Sequence, residues 1–351
     1  GWRLRWGFRR VGRMRVVVVE IFVRFWCWGG CEMMATRGAT GVSRRDLLAA
    51  GAGVIAAVAA GTSMAADDVD LSKTPWIDAH SHIWTTDLAK YPLRNGQQAD
   101  VLAPRSFTDD ELLATARPHG IGRVVLIQHH PYHGFDNSYL VDAWRRRPQL
   151  FRIVGQIDDV QPHVDQLMRS MLKTGVTGFR IGPRQDRPDW LQGAGMELMW
   201  KTGAETGQNM CCLINPSDLE SVGRWCVKYP QTPVVIDHFA RVGMTGEIRE
   251  SEVTALCGLA KHAKVRVKIS AYYALGKKQP PHDELRPMIR RLFEAYGPDR
   301  LMWASDSPYQ LTEPNSYGAA VAVVRDRLDF VSESDRMKLL RSTAESTFFF
   351  V

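Results

Sequence analysis

WIDAH, residues 76–80 in the stretch WIDAHSHIW (76–84), is the first of eight short apolar runs in this chain of 351 residues. The others are RVVLIQHH (123–130), FRIVGQI (151–157), VTGFRI (176–181), MCCLIN (210–215), PVVIDH (233–238), VRVKIS (265–270) and RLMWAS (300–305). Continuous apolar runs of this length are typical of strands buried on both faces, as in parallel sheets.

Amphipathic segments separate these runs and carry signals of helix ends. TDDELLATARPHG (108–120) offers Thr108 as an N-cap, with Glu111 three residues later and a glycine at its end. NPSDLESVGRWCVKYP (215–230) and DELRPMIRRLFEAYG (283–297) are also bounded by proline or glycine. Eight alternating strands and helices predict a (β/α)8 TIM barrel. A doubly wound open sheet is the alternative, which the lack of a glycine-rich loop after the first run disfavours.

The positive charge of the chain is concentrated at its N-terminus. The net charge is +7, and residues 1–45 hold ten arginines and two glutamates, so the remainder is nearly neutral. A nearly neutral body lacks the basic footprint of a nucleic-acid-binding protein. We therefore expect a small-molecule substrate and no nucleic-acid partner.

The basic N-terminal region resembles a targeting sequence. SRRDLLAAGAGVIAAVAAGTSMAA (43–66) has paired arginines, a weakly apolar stretch and a small-residue end, as a twin-arginine signal peptide does. We predict an untranslated or unstructured extension at 1–32, a signal peptide at 33–66 and a barrel domain at 67–351. The predicted partner is the twin-arginine export machinery, and the predicted location is periplasmic or otherwise exported, with no stable membrane anchor after cleavage.

Polar side chains are concentrated where the predicted strands end. Catalytic groups of TIM barrels cluster at this C-terminal end of the strands. His80 and His82 are two apart, so they face the same side of an extended chain and can share a metal ion or a substrate carbonyl. The remaining strand-end residues are Asp78, Gln128, His129, His130, Arg180, Asn215, Asp237, His238, Ser270, Tyr272, Tyr273, Ser305, Asp306 and Ser307.

Four of these strand ends resemble the motifs of a known superfamily. IDAHSHIW (77–84), VVIDHFAR (234–241), VKIS (267–270) and WASDSPY (303–309) are similar to strand motifs of the amidohydrolase superfamily. The resemblance is closer to the amidohydrolase-related branch that contains 2-pyrone-4,6-dicarboxylate lactonase and sugar-lactone hydrolases. It spans about residues 75–350 and implies a (β/α)8 barrel that hydrolyses a bond at a carbonyl.

One departure bears on the cofactor. Metal-dependent relatives usually place a histidine at the end of the fifth strand, where this sequence has Asn215. The resemblance to the lactonase-like branch implies catalysis without a bound metal. The alternative is one zinc or other divalent ion held by His80, His82 and Asp306, with His238 as a fourth ligand.

Asp306 is the predicted general base. A carboxylate partly desolvated among histidines can take a proton from water, which then attacks a lactone carbonyl. His80, His82 and His238 are the other predicted catalytic residues, and they would hold the substrate and polarise its carbonyl oxygen. The alternative for Asp306 is a structural role in the turn ahead of a proline.

Substrate binding is assigned to a second group of residues. The planar guanidinium of Arg180 suits a substrate carboxylate, although an internal ion pair with Asp237 or Asp158 is an open alternative. We also expect the long segment 84–107 to lie over the catalytic face. The full set of predicted substrate-binding residues is Arg180, Tyr272, Gln128 and His129.

These features predict a hydrolase that opens a small lactone. Two alternatives stay open at this stage. One is a zinc-dependent hydrolase or decarboxylase of the same superfamily. The other is a barrel without catalysis that binds a sugar acid in the periplasm, for which a base beside the polarising groups is not needed.

Overall fold

A computed structural model describes residues 70–184 and 187–351. The predicted extension at 1–32 and signal peptide at 33–66 lie outside these described residues, so both stay predictions. In the described part of the chain, no helix combines the length and apolar character that crossing a membrane requires.

Eight parallel strands form the predicted barrel, with one strand in each apolar run. They pair in sequence order, from β1 with β2 through to β7 with β8. The (β/α)8 prediction is therefore confirmed, and the open sheet is excluded because a doubly wound sheet does not pair its strands in chain order. The strands are β1 Trp76–Ser81, β2 Ile121–Ile127, β3 Phe151–Gly155, β4 Val176–Ile181, β5 Asn209–Cys212, β6 Val234–Ile236, β7 Val265–Ile269 and β8 Leu301–Trp303.

The barrel closes between β8 and β1 through the residues that follow β8. Asp306 donates its backbone N–H to the carbonyl of His80, and His82 donates to the carbonyl of Ser307, both at 2.8 Å. The buried carboxylate of Asp78 accepts from the backbone N–H of Ser305 at 2.9 Å and thereby links the two segments once more. The closure joins the two chain segments that carry the predicted base and the paired histidines.

Helices surround the barrel and begin where the sequence signals them. Thr108 and Glu111 form the predicted capping box at the start of α1. The helices are α1 Asp109–Ala116, α2 His130–His133, α3 Ser138–Arg146, α4 Val164–Leu172, α5 Ala194–Thr206, α6 Leu219–Lys228, α7 Glu250–Gly258, α8 Arg286–Tyr296, α9 Tyr317–Asp326, α10 Glu333–Met337 and α11 Thr343–Phe348.

The N-terminal end of the barrel is filled with apolar side chains, which we call the barrel floor. The C-terminal helix α11 closes this floor by packing Ala344 and Phe348 against it. Burial of this apolar surface stabilises the fold by roughly 25 cal/mol for each Å² removed from water. The floor consists of Ile77, Ala79, Val125, Ile127, Val154, Cys211, Val235, Met302, Ala304, Ala344 and Phe348.

Candidate active site

An irregularity in β1 turns His80 into the barrel. The pairing register of β1 with β2 shifts between Asp78 and Ser81. Ala79 packs in the barrel floor and His80 contacts the buried amine of Lys268, so two consecutive residues face inward. Asp78 instead bonds to the hydroxyl of Tyr317 on α9. Such a shift is the usual effect of a β-bulge, which re-aims a side chain at the rim of a barrel.

Asp306 lies at the centre of the cluster at the C-terminal end of the barrel, which we call the barrel mouth. Its Oδ1 is 3.4 Å from Nε2 of His80 and 3.3 Å from Nε2 of His82. Its Oδ2 is 3.7 Å from Nε2 of His238 and accepts a hydrogen bond of 2.9 Å from the hydroxyl of Tyr273. Oδ1 is buried and has no partner with hydrogen-bond geometry, so one carboxylate oxygen is held and the other is left unsatisfied.

The outer nitrogens of two of these histidines are fixed by neighbouring strands. Nδ1 of His82 lies 2.9 Å from the carbonyl oxygen of Ile127, to which it must donate because a carbonyl only accepts. Nδ1 of His238 lies 2.8 Å from the hydroxyl of Ser270 at the end of β7. Both contacts leave Nε2 directed at Asp306, so the rings are oriented before any substrate arrives.

A left-handed turn follows β6 and carries His238. Four consecutive residues, none of them glycine, have positive φ: His238 at 52°, Phe239 at 54°, Ala240 at 53° and Arg241 at 59°. Each costs about 1–2 kcal/mol relative to right-handed backbone, and such strain is concentrated at functional sites. Asp306 has the same backbone region, with φ of 64°. The exits of β6 and β8 are therefore both strained where they present site residues.

The carboxylate of Asp306 is ionised and the imidazole of His238 is neutral near pH 7. Burial alone would raise the pKa of Asp306, but His238, His82 and His80 hold it well below its ordinary value. Burial lowers the pKa of His238 to about 4, against the opposing effect of Asp306. The effect of burial on the pKa of Asp306, which the sequence leads us to expect, is thus outweighed by the surrounding imidazoles.

Beneath this cluster lies a buried charged layer that contains Arg180. Its Nη2 is 2.8 Å from Nε2 of His80 and 3.3 Å from Oδ2 of Asp237. Nζ of Lys268 is 3.0 Å from the other oxygen of Asp237 and 3.3 Å from Nδ1 of His80. The alternative of an ion pair between Arg180 and Asp237 is therefore present in the structure, together with proximity of Arg180 to the cluster.

His80 is neutral in this surrounding. Burial, and after it the charge of Lys268, holds the pKa of His80 well below its ordinary value. Burial would raise the pKa of Asp237, yet Lys268, His80 and Arg180 hold it well below its ordinary value. Two cations, Lys268 and Arg180, thus contact the single carboxylate of Asp237 in this layer.

Two predicted substrate-binding residues do not face the barrel mouth. Tyr272 is fully buried, and its hydroxyl donates to the carbonyl of Ile269 while its ring packs near Phe239. The left-handed residue Ala271 starts a short turn, and the next residue, Tyr273, faces Asp306 instead.

Gln128 is the second predicted residue whose described side-chain bonds are internal. It is fully buried, and its amide nitrogen donates to the carbonyl oxygens of Gly134 and Asp136. These bonds brace the loop that follows β2. The strand alternation identified Gln128 as a strand-end polar residue, but the turn after β2 directs its amide into that loop.

The predicted residue His129 lies in an aromatic wall beside the cluster. Its Nε2 contacts the hydroxyl of Tyr309 at 2.5 Å, and its ring lies 5.0 Å from that of His82. The ring of Trp84, at the start of the segment 84–107, lies tilted against that of His129 with ring centroids 5.4 Å apart. This contact places the beginning of that segment at the barrel mouth, as the sequence predicted.

Comparison with known proteins agrees with this geometry. A family model described as Amidohydrolase matches residues 77–350. The chain belongs to the amidohydrolase family. It is 26% identical over 240 residues to an L-fucono-1,5-lactonase of Burkholderia ambifaria, which covers 66% of this chain and 80% of the relative. It is 28% identical over 245 residues to a 4-sulfomuconolactone hydrolase of Rhizobium radiobacter, with 68% and 77% covered.

A solved structure shares the amidohydrolase barrel. The crystal structure of a Pseudomonas putida protein assigned as a 2-pyrone-4,6-dicarboxylic acid hydrolase superposes with a TM-score of 0.66 at 28% identity. The match covers 78% of this chain and 97% of that chain. The described barrel is thus the same fold over almost the whole length of that protein.

A metal site in this amidohydrolase would use a different set from the predicted one. Among the described residues, His80, His238 and Asp306 are the group whose ligand atoms lie within 4.8 Å of one another. His238 takes the place predicted for His82, although Nε2 of His82 also lies 3.3 Å from Oδ1 of Asp306. The donor types suit zinc.

The charges around His80 do not fit a divalent ion in this arrangement. The guanidinium of Arg180 lies 2.8 Å from Nε2, the nitrogen that would bind the metal, and the ammonium of Lys268 lies 3.3 Å from Nδ1. A dication bound to Nε2 would have to displace the guanidinium of Arg180. It would also lie close to the positive charges of both Arg180 and Lys268. Since Asp237 is already shared by those two cations, only the charge of Asp306 would offset the ion.

Sequence reasoning missed three residues that the structure places at the site. Lys268 lies two residues before Ser270, which follows β7 directly, so the two share a face of the extended chain. Strand periodicity would therefore have placed Lys268 inward. Tyr309 follows Asp306 by three residues in the motif that was recognised. Arg241 ends the left-handed turn, where its Nη1 donates to the Oδ1 of Asn215 at 3.2 Å, and no sequence signal predicts such a turn without glycine.

Proposed function

We propose that this protein hydrolyses a small lactone that carries an acidic group, with Asp306 as the general base and without a catalytic metal. The observation that carries the proposal is the Oδ1 of Asp306. This oxygen has no hydrogen-bond partner and faces Nε2 of His80 and of His82 at 3.4 and 3.3 Å, while Tyr273 holds Oδ2. A carboxylate that is held at one oxygen and unpaired at the other is placed to take a proton from water, and position comes before pKa in the choice of a general base.

The chemistry follows from these positions. A water molecule bound at Oδ1 gives its proton to Asp306 as its oxygen attacks the lactone carbonyl. The imidazole of His238 stabilises the negative charge that develops on the carbonyl oxygen, while His80 accepts from Arg180 and orients it from below. The ring C–O bond then breaks, and the leaving oxygen takes the proton back from Asp306. The products are a carboxylic acid and an alcohol within one molecule, and the base is restored.

Basic groups at the barrel mouth support an acidic substrate. Arg180 lies against His80, and burial together with the nearby Arg180 lowers the pKa of Arg241. Two guanidinium groups in the same partly buried site give it a positive potential, which favours an anionic substrate group. Two of the similar proteins are named for lactones with sulfo or dicarboxylic acid groups, which agrees with this proposal.

The decisive experiment is hydrolysis of a lactone panel by the purified barrel, with and without a chelator. Acid release would be followed by a pH indicator. We expect at least one acidic lactone to be opened at the same rate after chelation. Activity that is lost to the chelator and restored by zinc would instead assign His80, His238 and Asp306 as metal ligands. Binding of a sugar acid without any turnover would favour the barrel without catalysis.

Export is proposed on the N-terminal sequence alone. The paired arginines Arg44 and Arg45 ahead of the Ala-rich stretch support the twin-arginine route. Cell fractionation of a variant with both arginines changed to lysine tests this proposal, and we expect retention in the cytoplasm.

A further inference from the structure

Lys268 is a buried cation that the proposed mechanism does not use. Its side chain is fully buried on β7, between the charged layer and the barrel floor. Nζ is 3.0 Å from Oδ1 of Asp237, and the ring of Phe348 lies 5.1 Å from it on the floor side. A group with no exposed surface cannot reach a substrate. Buried ion pairs are also weak sources of stability, since apolar residues of similar volume often stabilise as well.

Asp237 is shared by two cations. Its Oδ1 faces Lys268 at 3.0 Å, and its Oδ2 faces Nη2 of Arg180 at 3.3 Å. One carboxylate charge can offset only one of these two positive charges. Burial decides which of the two cations Asp237 neutralises. The fully buried Lys268 has no water to replace the carboxylate, whereas Arg180 is partly exposed at the barrel mouth.

We propose that Lys268 is a positioning residue that neutralises Asp237 and thereby keeps the charge of Arg180 available for an acidic group of the substrate. The proposal rests on the proposed function, since it sets the affinity of the same site for an anion. If Lys268 were neutral, Asp237 would pair with Arg180 alone and compete with the substrate for its guanidinium. Lys268 acts through Asp237 and Arg180, without contact to the substrate.

The pairing of Lys268 with Asp237 also explains how a carboxylate can lie beside an arginine that binds an anion. Asp237 is fully buried and ionised, and its Oδ1 is also 3.5 Å from Nδ1 of His80. A bare carboxylate at this depth would repel an acidic substrate. With Lys268 in place, the pair presents no net charge to the barrel mouth, and the carboxylate orients Arg180 and His80 from below.

The test is a charge-balance cycle that uses citrate as the anionic probe, chosen because it is a hydroxy acid like an opened lactone. Binding is measured by calorimetry on the wild type, Lys268→Met, Asp237→Asn and the double variant. We expect Lys268→Met to weaken citrate binding by about 10- to 100-fold. This is the change in affinity that corresponds to the loss of one hydrogen bond to a charged group. Asp237→Asn added to Lys268→Met should recover most of that loss, because it removes the competing carboxylate.

A structural role for Lys268 predicts a different pattern. If packing were its only contribution, the double variant would bind citrate no better than Lys268→Met, and that result would overturn the proposal. Equal binding by Lys268→Met and wild type would overturn it as well. Lys264→Met, at an exposed lysine just before β7, controls for the loss of one positive charge and should leave the affinity unchanged.

Two further arms keep the test independent of folding and of turnover. If Lys268→Met does not fold, Asp237→Asn alone decides, since it should tighten citrate binding, and weaker or unchanged binding would count against the proposal. Failure of the wild type to open any lactone would refute the proposed function without touching the citrate cycle. If lactone turnover is found, Lys268→Met should raise KM for an acidic lactone and change kcat by only a few-fold.

Discussion

The two ends of this barrel differ in what they contribute. The floor is built from apolar side chains and is closed by Phe348 and Ala344 of α11, whereas the mouth holds three imidazoles around the carboxylate of Asp306. The mouth also carries strained backbone, with four left-handed residues after β6. The comparison indicates that the floor contributes stability through apolar burial. The strained backbone at the mouth costs stability but positions the side chains of the site.

The largest expected effect comes from the carboxylate at the mouth. Asp306→Asn should lower kcat by about 10³-fold, because the amide cannot accept a proton from water at neutral pH. The fold should be retained, since the amide preserves the shape of the side chain. Initial rates on an acidic lactone and far-ultraviolet circular dichroism measure the two quantities, and turnover within tenfold of wild type would contradict the assignment.

The second effect falls on the floor and on stability. Phe348→Ala removes a fully buried ring and should lower the free energy of unfolding by about 3–5 kcal/mol. Urea unfolding measures the loss, and kcat/KM well below the midpoint should change only a few-fold. Phe350→Ala, at a ring that is 42% exposed, is the matched control and should have little effect. A large loss of activity in folded Phe348→Ala would show that the floor also contributes to catalysis, and it would contradict this separation of roles.

A third, smaller effect sharpens the role of charge at the mouth. Arg180→Met should raise KM for an acidic lactone by about 10- to 100-fold, since it removes a charged hydrogen-bond donor. A neutral lactone of the same ring size serves as the control and should be affected much less. Equal effects on both lactones would place Arg180 in a purely internal ion pair with Asp237.

The smallest expected effect distinguishes two adjacent tyrosines. Tyr273→Phe removes the hydroxyl that holds Oδ2 of Asp306 and should lower kcat by about tenfold. Tyr272→Phe removes a bond to the carbonyl of Ile269 and should cost about 1 kcal/mol of stability with kcat unchanged. Steady-state kinetics and thermal unfolding of the pair check this. The reverse pattern would restore Tyr272 as the substrate-binding residue.

The amino-acid sequence by itself determined the eight strands, the TIM barrel and the three histidines around Asp306. It did so because strand periodicity is local and because every parallel strand of such a barrel ends at the same rim. His80, His82, His238 and Asp306 could therefore be grouped without coordinates.

Only the tertiary structure decided the direction of individual side chains. A β-bulge turns His80 inward, a left-handed turn presents Arg241, and a short turn after Ala271 exchanges Tyr273 for Tyr272. Each depends on backbone geometry that the surrounding packing imposes against local preference. The ion pairs of Asp237 with Lys268 and with Arg180 also connect three different strand segments. No local sequence pattern predicts such contacts between distant segments.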